Sequence, residues 1–315
     1  MNIQTSIMAM GEALVEIMRV DRTTPLDGTG TFEGPYASGA PAIFAVAAAR
    51  LGLPVAFAGS VGPDAFGRFL RAYLQREGVD CSLLRDADGK ATGAAFVAYQ
   101  PDGGREFVFH IRDAAAGAMD PSHLPQERLR TMSWLHISGS TLALNDGWRA
   151  ACRAALAAVL AGGGRLSFDP NLRPELLPLE EARLVFAPYL EAASLILPTR
   201  EEALALSGQA DLQAAAQSLA HPGCLVAIKR GADGCFLYRD GEAVDQAGFA
   251  VEEVDPTGAG DCFNAACIFG LSQNWSMAQT AHFAAAAGAL AVTRMGPMEG
   301  APGLEAVNAL LTAQG

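Results

Sequence analysis

The sequence predicts an α/β protein in which helices cover a mostly parallel sheet, with a small β lid inserted early in the chain. Three observations carry this reading. Apolar runs of strand length alternate with helical stretches through most of the chain. Half of the 315 residues are apolar and only 18% are charged, which allows a sizeable core and argues against wholesale disorder. One segment alone breaks the alternation with a strong hairpin signal. No internal repeat or low-complexity linker is visible, so residues 1–315 read as one main domain plus the lid.

The elements follow in order. Residues 8–18 read as a strand, 39–51 as an alanine-rich helix, Val55–Val61 as a strand and 65–75 as a helix. Strand–helix pairs come next at 135–138 with 146–160, at 166–169 with 179–186, and at 195–197 with 201–206. Residues 226–229 close the series. The last part (258–271, 278–292 and 304–312) is nearly all helix. Such repetition favours a parallel sheet that binds ligands beyond its strand C-termini. The exception is Gly93–Tyr99 and 105–112, strand-like runs joined by Gln100-Pro101-Asp102-Gly103-Gly104. On the second run Phe107, Phe109 and Ile111 point one way, and Val108, His110 and Arg112 the other. A hairpin with a polar, basic face suits a lid, and equally suits an ordinary edge hairpin with a solvated face.

Composition excludes several classes. A formal charge of −12 argues against nucleic acid or an anionic membrane as the main partner, though not against a small anionic ligand held by backbone amides. The six cysteines, at 81, 152, 224, 235, 262 and 267, form no Cys-x-x-Cys pair and no zinc-like cluster; they read as reduced, buried residues of a cytoplasmic protein. The first residues lack the basic segment of a signal peptide, and no stretch resembles a membrane span of ~20 apolar residues. Gly11-Glu12-Ala13 after the first strand is not a dinucleotide fingerprint, and no Gly-x-x-x-x-Gly-Lys-[Ser/Thr] loop is present.

Chemistry concentrates at Asp255-Pro256-Thr257-Gly258-Ala259-Gly260-Asp261. Beyond it Phe263, Ala266, Cys267 and Gly270 recur at helical spacing, so 258–260 form a first turn whose N–H groups lack intrahelical acceptors. Bare residues let a phosphate approach those amides, and the helix dipole favours its charge. Asp261 would repel that phosphate unless it has work of its own. In phosphoryl transfer such a carboxylate accepts the proton of an attacking hydroxyl while the amides stabilise the transferring group. On its own, Gly-Ala-Gly-Asp reads first as a helix start with a favourable first-turn acid, a common arrangement.

The surrounding residues change the balance. The 255–261 run, together with Ser38-Gly39-Ala40-Pro41, Leu51-Gly52 and Gly62-Pro63-Asp64-Ala65-Phe66-Gly67, resembles the two signatures of the ribokinase-like (PfkB-type) sugar kinases. The resemblance runs nearly end to end. It implies a three-layer α/β/α sandwich, a β lid built from about 13–36 and 83–112, and the use of ATP and Mg2+. It implies Asp261 as catalytic base, with Gly258, Ala259 and Gly260 in an anion hole. Lys229, Gly231 and Gly234, with Thr257, fall where relatives contact the nucleotide. Asp255, Thr257, Arg294 and Gly296 resemble a monovalent-cation loop for K+. Gly39 and Ala40 fall at the sugar turn.

Three departures bear on the substrate. Ser38 replaces a usual glycine, Ile43 stands where an asparagine reads the sugar, and Thr199-Arg200-Glu201-Glu202 keeps the glutamate of an Asn-x-x-Glu motif but not the asparagine. Glu202 is then a candidate for the Mg2+ shell through water, or simply a favourable acid early in a helix. Asp169-Pro170-Asn171-Leu172-Arg173 and the 107–112 strand are similar to the 2-keto-3-deoxygluconate kinase and fructokinase branches. That likeness makes His110, Arg112, Asp169, Asn171 and Arg173 candidate substrate contacts, the arginines as forks for a carboxylate; His110 equally suits an outward strand position. The expectation is a keto sugar or keto sugar acid phosphorylated at a terminal hydroxyl, with ribose or a nucleoside as the alternative. A non-catalytic sugar sensor would have no need of Asp261. The lid's strand edges would also allow pairing into a homodimer.

Overall fold

The computed structural model describes residues 6–21, 24–99 and 104–314. Thirteen strands among them run in chain order as β1 (Ile7–Met10), β2 (Leu14–Arg19), β3 (Phe32–Ser38), β4 (Val55–Val61), β5 (Asp80–Asp86), β6 (Gly93–Tyr99), β7 (Arg105–His110), β8 (Trp134–Ser138), β9 (Arg165–Asp169), β10 (Ala193–Ile196), β11 (Leu225–Lys229), β12 (Cys235–Arg239) and β13 (Glu242–Gln246). Nine form one sheet in the order β13-β12-β11-β10-β9-β8-β1-β4-β5, and four form a smaller sheet in the order β3-β2-β6-β7. From β5 to β11 all neighbours in the large sheet are parallel; β12 and β13 add an antiparallel edge.

Local sequence explains this layout. Strands β1, β4 and β8 are buried along their whole length and therefore read as continuous apolar runs, as central parallel strands do. Helices 40–50, 65–76, 259–272, 277–291 and 304–314 pack on one face around Phe44, Phe57, Phe263 and Phe283. Helices 146–161, 179–192, 200–207 and 212–219 cover the other around Trp148, Phe168, Phe186 and Tyr189. No helix among the described residues is long and apolar enough to cross a membrane.

Several expectations shift at their boundaries. The single strand expected over 8–18 is two strands in different sheets. The chain leaves the large sheet at Gly11, whose φ of +149° suits glycine; a Cβ there would lie 2.2 Å from Thr141 Oγ1. Residues 83–86, expected in the lid, complete edge strand β5 of the large sheet. The series expected to close at Lys229 continues into the β12–β13 hairpin, and a helix over 212–219, capped by Asp211, was not anticipated. The expected turn over Gln100–Gly104 falls largely on residues 100–103, outside the described residues.

The connections position the site. Strand β1 lies between β4 and β8, and the chain winds outward on either side, so the strand order reverses at the C-terminal ends of β1 and β8. Open α/β sheets bind ligands at that crevice. Glu12 leaves β1 there, and β8 and β9 end in Ser138 and Asp169.

Candidate active site

The helix Ala259–Ser272 begins above this crevice. Its N-cap Gly258 has φ +83°, and a Cβ there would meet the Pro297 carbonyl at 2.2 Å. The first intrahelical bond runs from the Cys262 amide to the Gly258 carbonyl, so the amides of Gly260 and Asp261 lie ahead of the ladder. Gly260 differs from Gly258. A Cβ at 260 would make only ordinary contact, 3.5 Å from Lys229 Nζ, so the fold does not demand glycine there. Its bareness leaves the amide open to a ligand.

Beneath that turn lies a closed polar network. Lys229 Nζ donates to Asp169 Oδ2 (3.0 Å) and Asn264 Oδ1 (3.3 Å), while Asn264 Nδ2 donates to the same Asp169 oxygen (2.6 Å). The Asn171 amide donates to Asp169 Oδ1 (3.1 Å), with Asn171 itself at φ +36°. Asp169, expected to meet the sugar, is instead buried with both oxygens engaged by the protein. Asn264, which the sequence reading passed over, closes the network.

Asp261 is buried beside it. Burial pushes its carboxyl well above the usual carboxylate range and Asp169 pushes the same way, while Lys229 and Arg173 pull it back. Burial opposes the charge on Lys229, yet Asp169 and Glu202 outweigh it and hold the ammonium firmly protonated. Glu202 Oε1 accepts the Leu172 amide (2.7 Å) and Oε2 the Thr199 amide (2.8 Å). With the Thr199 side chain this forms a capping box, which explains how threonine serves where asparagine was expected.

A second hub is Asp255. Its Oδ1 accepts the Thr257 amide (2.9 Å) and the Tyr99 hydroxyl (2.6 Å), and its Oδ2 the Gly296 amide (2.9 Å). Arg105 Nη1 donates to Thr257 Oγ1 (3.2 Å). One buried carboxylate thus joins the small sheet, the approach to the start of helix 259–272 and the 294–296 loop, where Arg294 itself is exposed.

The small sheet sorts its candidates by face. Strand pairing sets Glu16, Ala95 and Phe109 in one row. Glu16 is 3% exposed, hydrogen-bonded to Ser38, and has one oxygen without a partner. Burial lifts its pKa to about 7 against the opposing pull of Ser38, Arg105 and Arg173. The sequence signal for it was a lone acid in the apolar run Leu14-Val15-Glu16-Ile17-Met18. Ser38, a departure from the family pattern, is accounted for by this bond. His110 pairs with Ala94 on the opposite face and is exposed, away from the Glu16 row. Arg112, expected as a carboxylate fork, gives Nη2 to the carbonyls of Leu176 (2.6 Å) and Ala143 (3.3 Å), tying the small sheet to the body.

The remaining candidates fall into place. Gly39 caps helix 40–50 at φ +106°, and a Cβ would strike the Glu12 carbonyl at 2.3 Å; Ala40 opens that helix. Ile43 is buried with Cγ2 3.1 Å from where a Gly258 Cβ would lie, so it packs against the glycine that caps helix 259–272. Gly231 is open at φ +58°, whereas a Cβ at Gly234 would meet the Gln246 carbonyl at 2.1 Å. Glu12, also missed, is buried and accepts bonds from Ser140 (2.6 Å) and Thr141 (2.7 Å).

Bare amides at a helix start, a buried carboxylate in the same turn and a fixed ammonium beneath them are the parts of a phosphotransferase centre. The family profile of pfkB family carbohydrate kinases matches residues 4–303, and the chain belongs to that family. It is a carbohydrate kinase. Among curated relatives it is similar to 5-dehydro-2-deoxygluconokinase of Shouchella clausii (29% identical, covering 99% of this chain and 97% of the relative). It is also similar to fructokinase of Escherichia coli (34% identical, 85% and 89%). Among solved structures it is similar to an E. coli protein provisionally named ribokinase II, in complex with ATP and Mg2+ (37% identical, 98% and 100% covered, TM-score 0.91). Fructokinase of Vibrio cholerae, bound to fructose, ADP and calcium, is a further neighbour (30% identical, 98% and 99%, TM-score 0.84).

The two glycines generate opposite expectations. Gly258→Ala forces a left-handed alanine against a carbonyl and should destabilise the fold by about 2 kcal/mol or more. Gly260→Ala should melt near the unsubstituted protein yet lose most of its turnover. Differential scanning calorimetry with a coupled kinase assay checks both.

Proposed function

We propose that this kinase transfers the γ-phosphoryl group of ATP to a terminal hydroxyl of a six-carbon keto sugar or keto sugar acid, with Asp261 as the base. The observation that carries the reading is the buried Asp261 carboxylate in the helix turn whose Gly260 and Asp261 amides lie ahead of the helix ladder. The sugar oxygen forms a bond to the γ-phosphorus as the bond to the ADP oxygen breaks, and Asp261 takes the hydroxyl proton. Gly258, Ala259 and Gly260 line the anion hole, and Lys229, Gly231 and Thr257 border the nucleotide.

Mg2+ travelling on the nucleotide phosphates would neutralise charge there. Among the described residues no group of three or more acids, histidines or cysteines is gathered to hold a metal. With each oxygen already accepting a backbone amide, Glu202 would meet such an ion through water. Asp255 has both oxygens engaged as well, so a K+ bound at the 255–257 and 294–296 segments would rest chiefly on backbone carbonyls.

Sugar recognition falls to Glu16, whose free oxygen stands ready for a hydroxyl, and to Arg173 and Arg105, the cations acting on it. Two cations near a sugar-facing acid favour a keto acid, and the relative named 5-dehydro-2-deoxygluconokinase supports this; the fructokinase relatives support the neutral sugar. The small sheet acts as the lid. Its outer face carries Phe32 and Val108, 38% and 41% exposed, and its edges are β3 and β7, which suits pairing with a second copy.

Asp261→Asn should lower kcat by about 10²–10⁴-fold with ATP still bound. Because a raised pKa keeps the base protonated to higher pH, the activity of the unsubstituted enzyme should fall on acidification from above the usual carboxylate range; near-normal turnover in the variant would remove the assignment. In an ATP-consumption screen over 2-keto-3-deoxygluconate, fructose, tagatose, ribose and nucleosides, the keto substrates should lead. Arg173→Ala should raise KM for the keto acid more than for fructose, and a preference for ribose or nucleosides would overturn the substrate class. Light scattering at micromolar concentration should give a dimer mass that Val108→Glu halves; a monomer before substitution ends the pairing idea.

A further inference from the structure

We propose that the small sheet carries a built-in substitute for a monovalent cation: the Tyr99 hydroxyl and the Arg105 guanidinium are positioning residues that hold the 255–257 segment, so that turnover does not require K+. The inference rests on the reading above that transfer occurs at the start of helix 259–272, and it concerns the segment that leads into that start.

An ion bound here would have two tasks, to satisfy the Asp255 carboxylate and to hold the backbone before Gly258 in shape. The protein performs both. Asp255 is fully buried, and its Oδ1 accepts the Thr257 amide (2.9 Å) and the Tyr99 hydroxyl (2.6 Å). Its Oδ2 accepts the Gly296 amide (2.9 Å), so three of the roughly four acceptor positions of the carboxylate are taken. Tyr99 ends β6 and Arg105 opens β7, and the two are paired directly across the hairpin, which sets their side chains on one face. The Tyr99 hydroxyl lies 3.4 Å from Thr257 Oγ1, and Arg105 Nη1 donates to the same oxygen (3.2 Å). One cross-strand pair thus delivers a hydroxyl donor and a positive charge to the residue before Gly258. Arg105 is exposed, so water screens part of its charge and the buried Tyr99 contact carries the larger share.

The facing loop is closed in the same way. The Val292 carbonyl accepts the amides of Val254 (2.8 Å) and Asp255 (3.1 Å). Glu299 Oε2 accepts the Met298 amide (3.1 Å) and lies 2.2 Å from where a Gly296 Cβ would stand, so a carboxylate packs against the turn at Gly296. K+ gives up its hydration shell to a set of oxygens that replaces it. At Asp255 the ion would find one open carboxylate position, beside two amides and a phenol that already serve the same group. These residues do not fit a dedicated K+ site; they fit a segment held by donors of the protein itself.

Salt exchange tests this. At constant ionic strength the unsubstituted enzyme should turn over in KCl and in tetramethylammonium chloride at rates within about twofold, and its melting temperature with ADP and Mg2+ should differ by less than about 2 °C between the two. Activation or stabilisation by K+ beyond those ranges would overturn the inference. Tyr99→Phe frees an Asp255 acceptor position; in tetramethylammonium chloride its kcat should fall about tenfold, and KCl should restore most of it and raise its melting temperature. A merely structural role for the hydroxyl would give a loss that K+ leaves unrepaired, and that result, or an unchanged kcat, would overturn the substitute role. Arg105→Gln keeps a donor for Thr257 and removes the charge. Its effect on sugar contact should appear in KM equally in both salts, whereas its smaller loss in kcat should be the part that K+ repairs. The melting comparison needs no sugar, so a failure of the substrate reading in the sugar screen would leave this inference to be decided by the salts alone.

Discussion

The ion pair between Lys229 and Asp169, the most deeply buried of the salt bridges among the described residues, sets the constraint to which the rest of the site answers. Taking an ammonium and a carboxylate out of water is costly, and breaking such a pair by removing one partner costs about 3–5 kcal/mol. The surroundings therefore satisfy both ions. Asn264 brings the helix 259–272 to the pair, and Asn171 brings the loop after β9. Glu202 then pins the same loop at the Leu172 amide and ties it to the start of helix 200–207. Three segments far apart in the chain meet around one charge pair, at the end of the sheet where the strand order reverses.

A different carboxylate organises the opposite side. Asp255 gathers donors from the small sheet, from Thr257 and from Gly296. The small sheet is thus bonded to the loop leading into helix 259–272, and through Arg112 to the carbonyls at 143 and 176. Glu16 completes this side as a buried acid with an unspent acceptor and a pKa near neutrality, set by burial. Among the departures from the family pattern, Ile43 and Thr199 serve packing and capping, while Ser38 supports Glu16.

Much of this was legible in the chain. The alternation of apolar runs and helices located the parallel strands because central strands are apolar on both faces, and the Gly-Ala-Gly-Asp run located the helix start. The break at Gly11 was not legible, because it depends on Thr141 and Pro41, which approach only in the folded state. Strand β5 alternates buried and exposed residues at a sheet edge, which gave it the look of lid. In the site, the family signature drew attention to Asp261 and Lys229, whereas strand facing and hydrogen-bond partners appear only in the folded chain. Asp169 has both oxygens engaged by the protein and Arg112 gives Nη2 to two carbonyls, contacts no sequence pattern shows. Asn264 lies inside an apolar helix, Glu12 in the short link after β1, and Glu16 announces itself only as a lone acid in an apolar run.

The six cysteines all sit inside the protein, and burial raises the pKa of each thiol. Thiolate chemistry needs both ionisation and access, and these sulfurs have neither at neutral pH. The chain is therefore close to a silent background for labelling: one cysteine placed on the outer face of the small sheet would be its sole reactive thiol. Spectroscopic tags could then follow that sheet relative to the body without first stripping the natural sulfurs from the core.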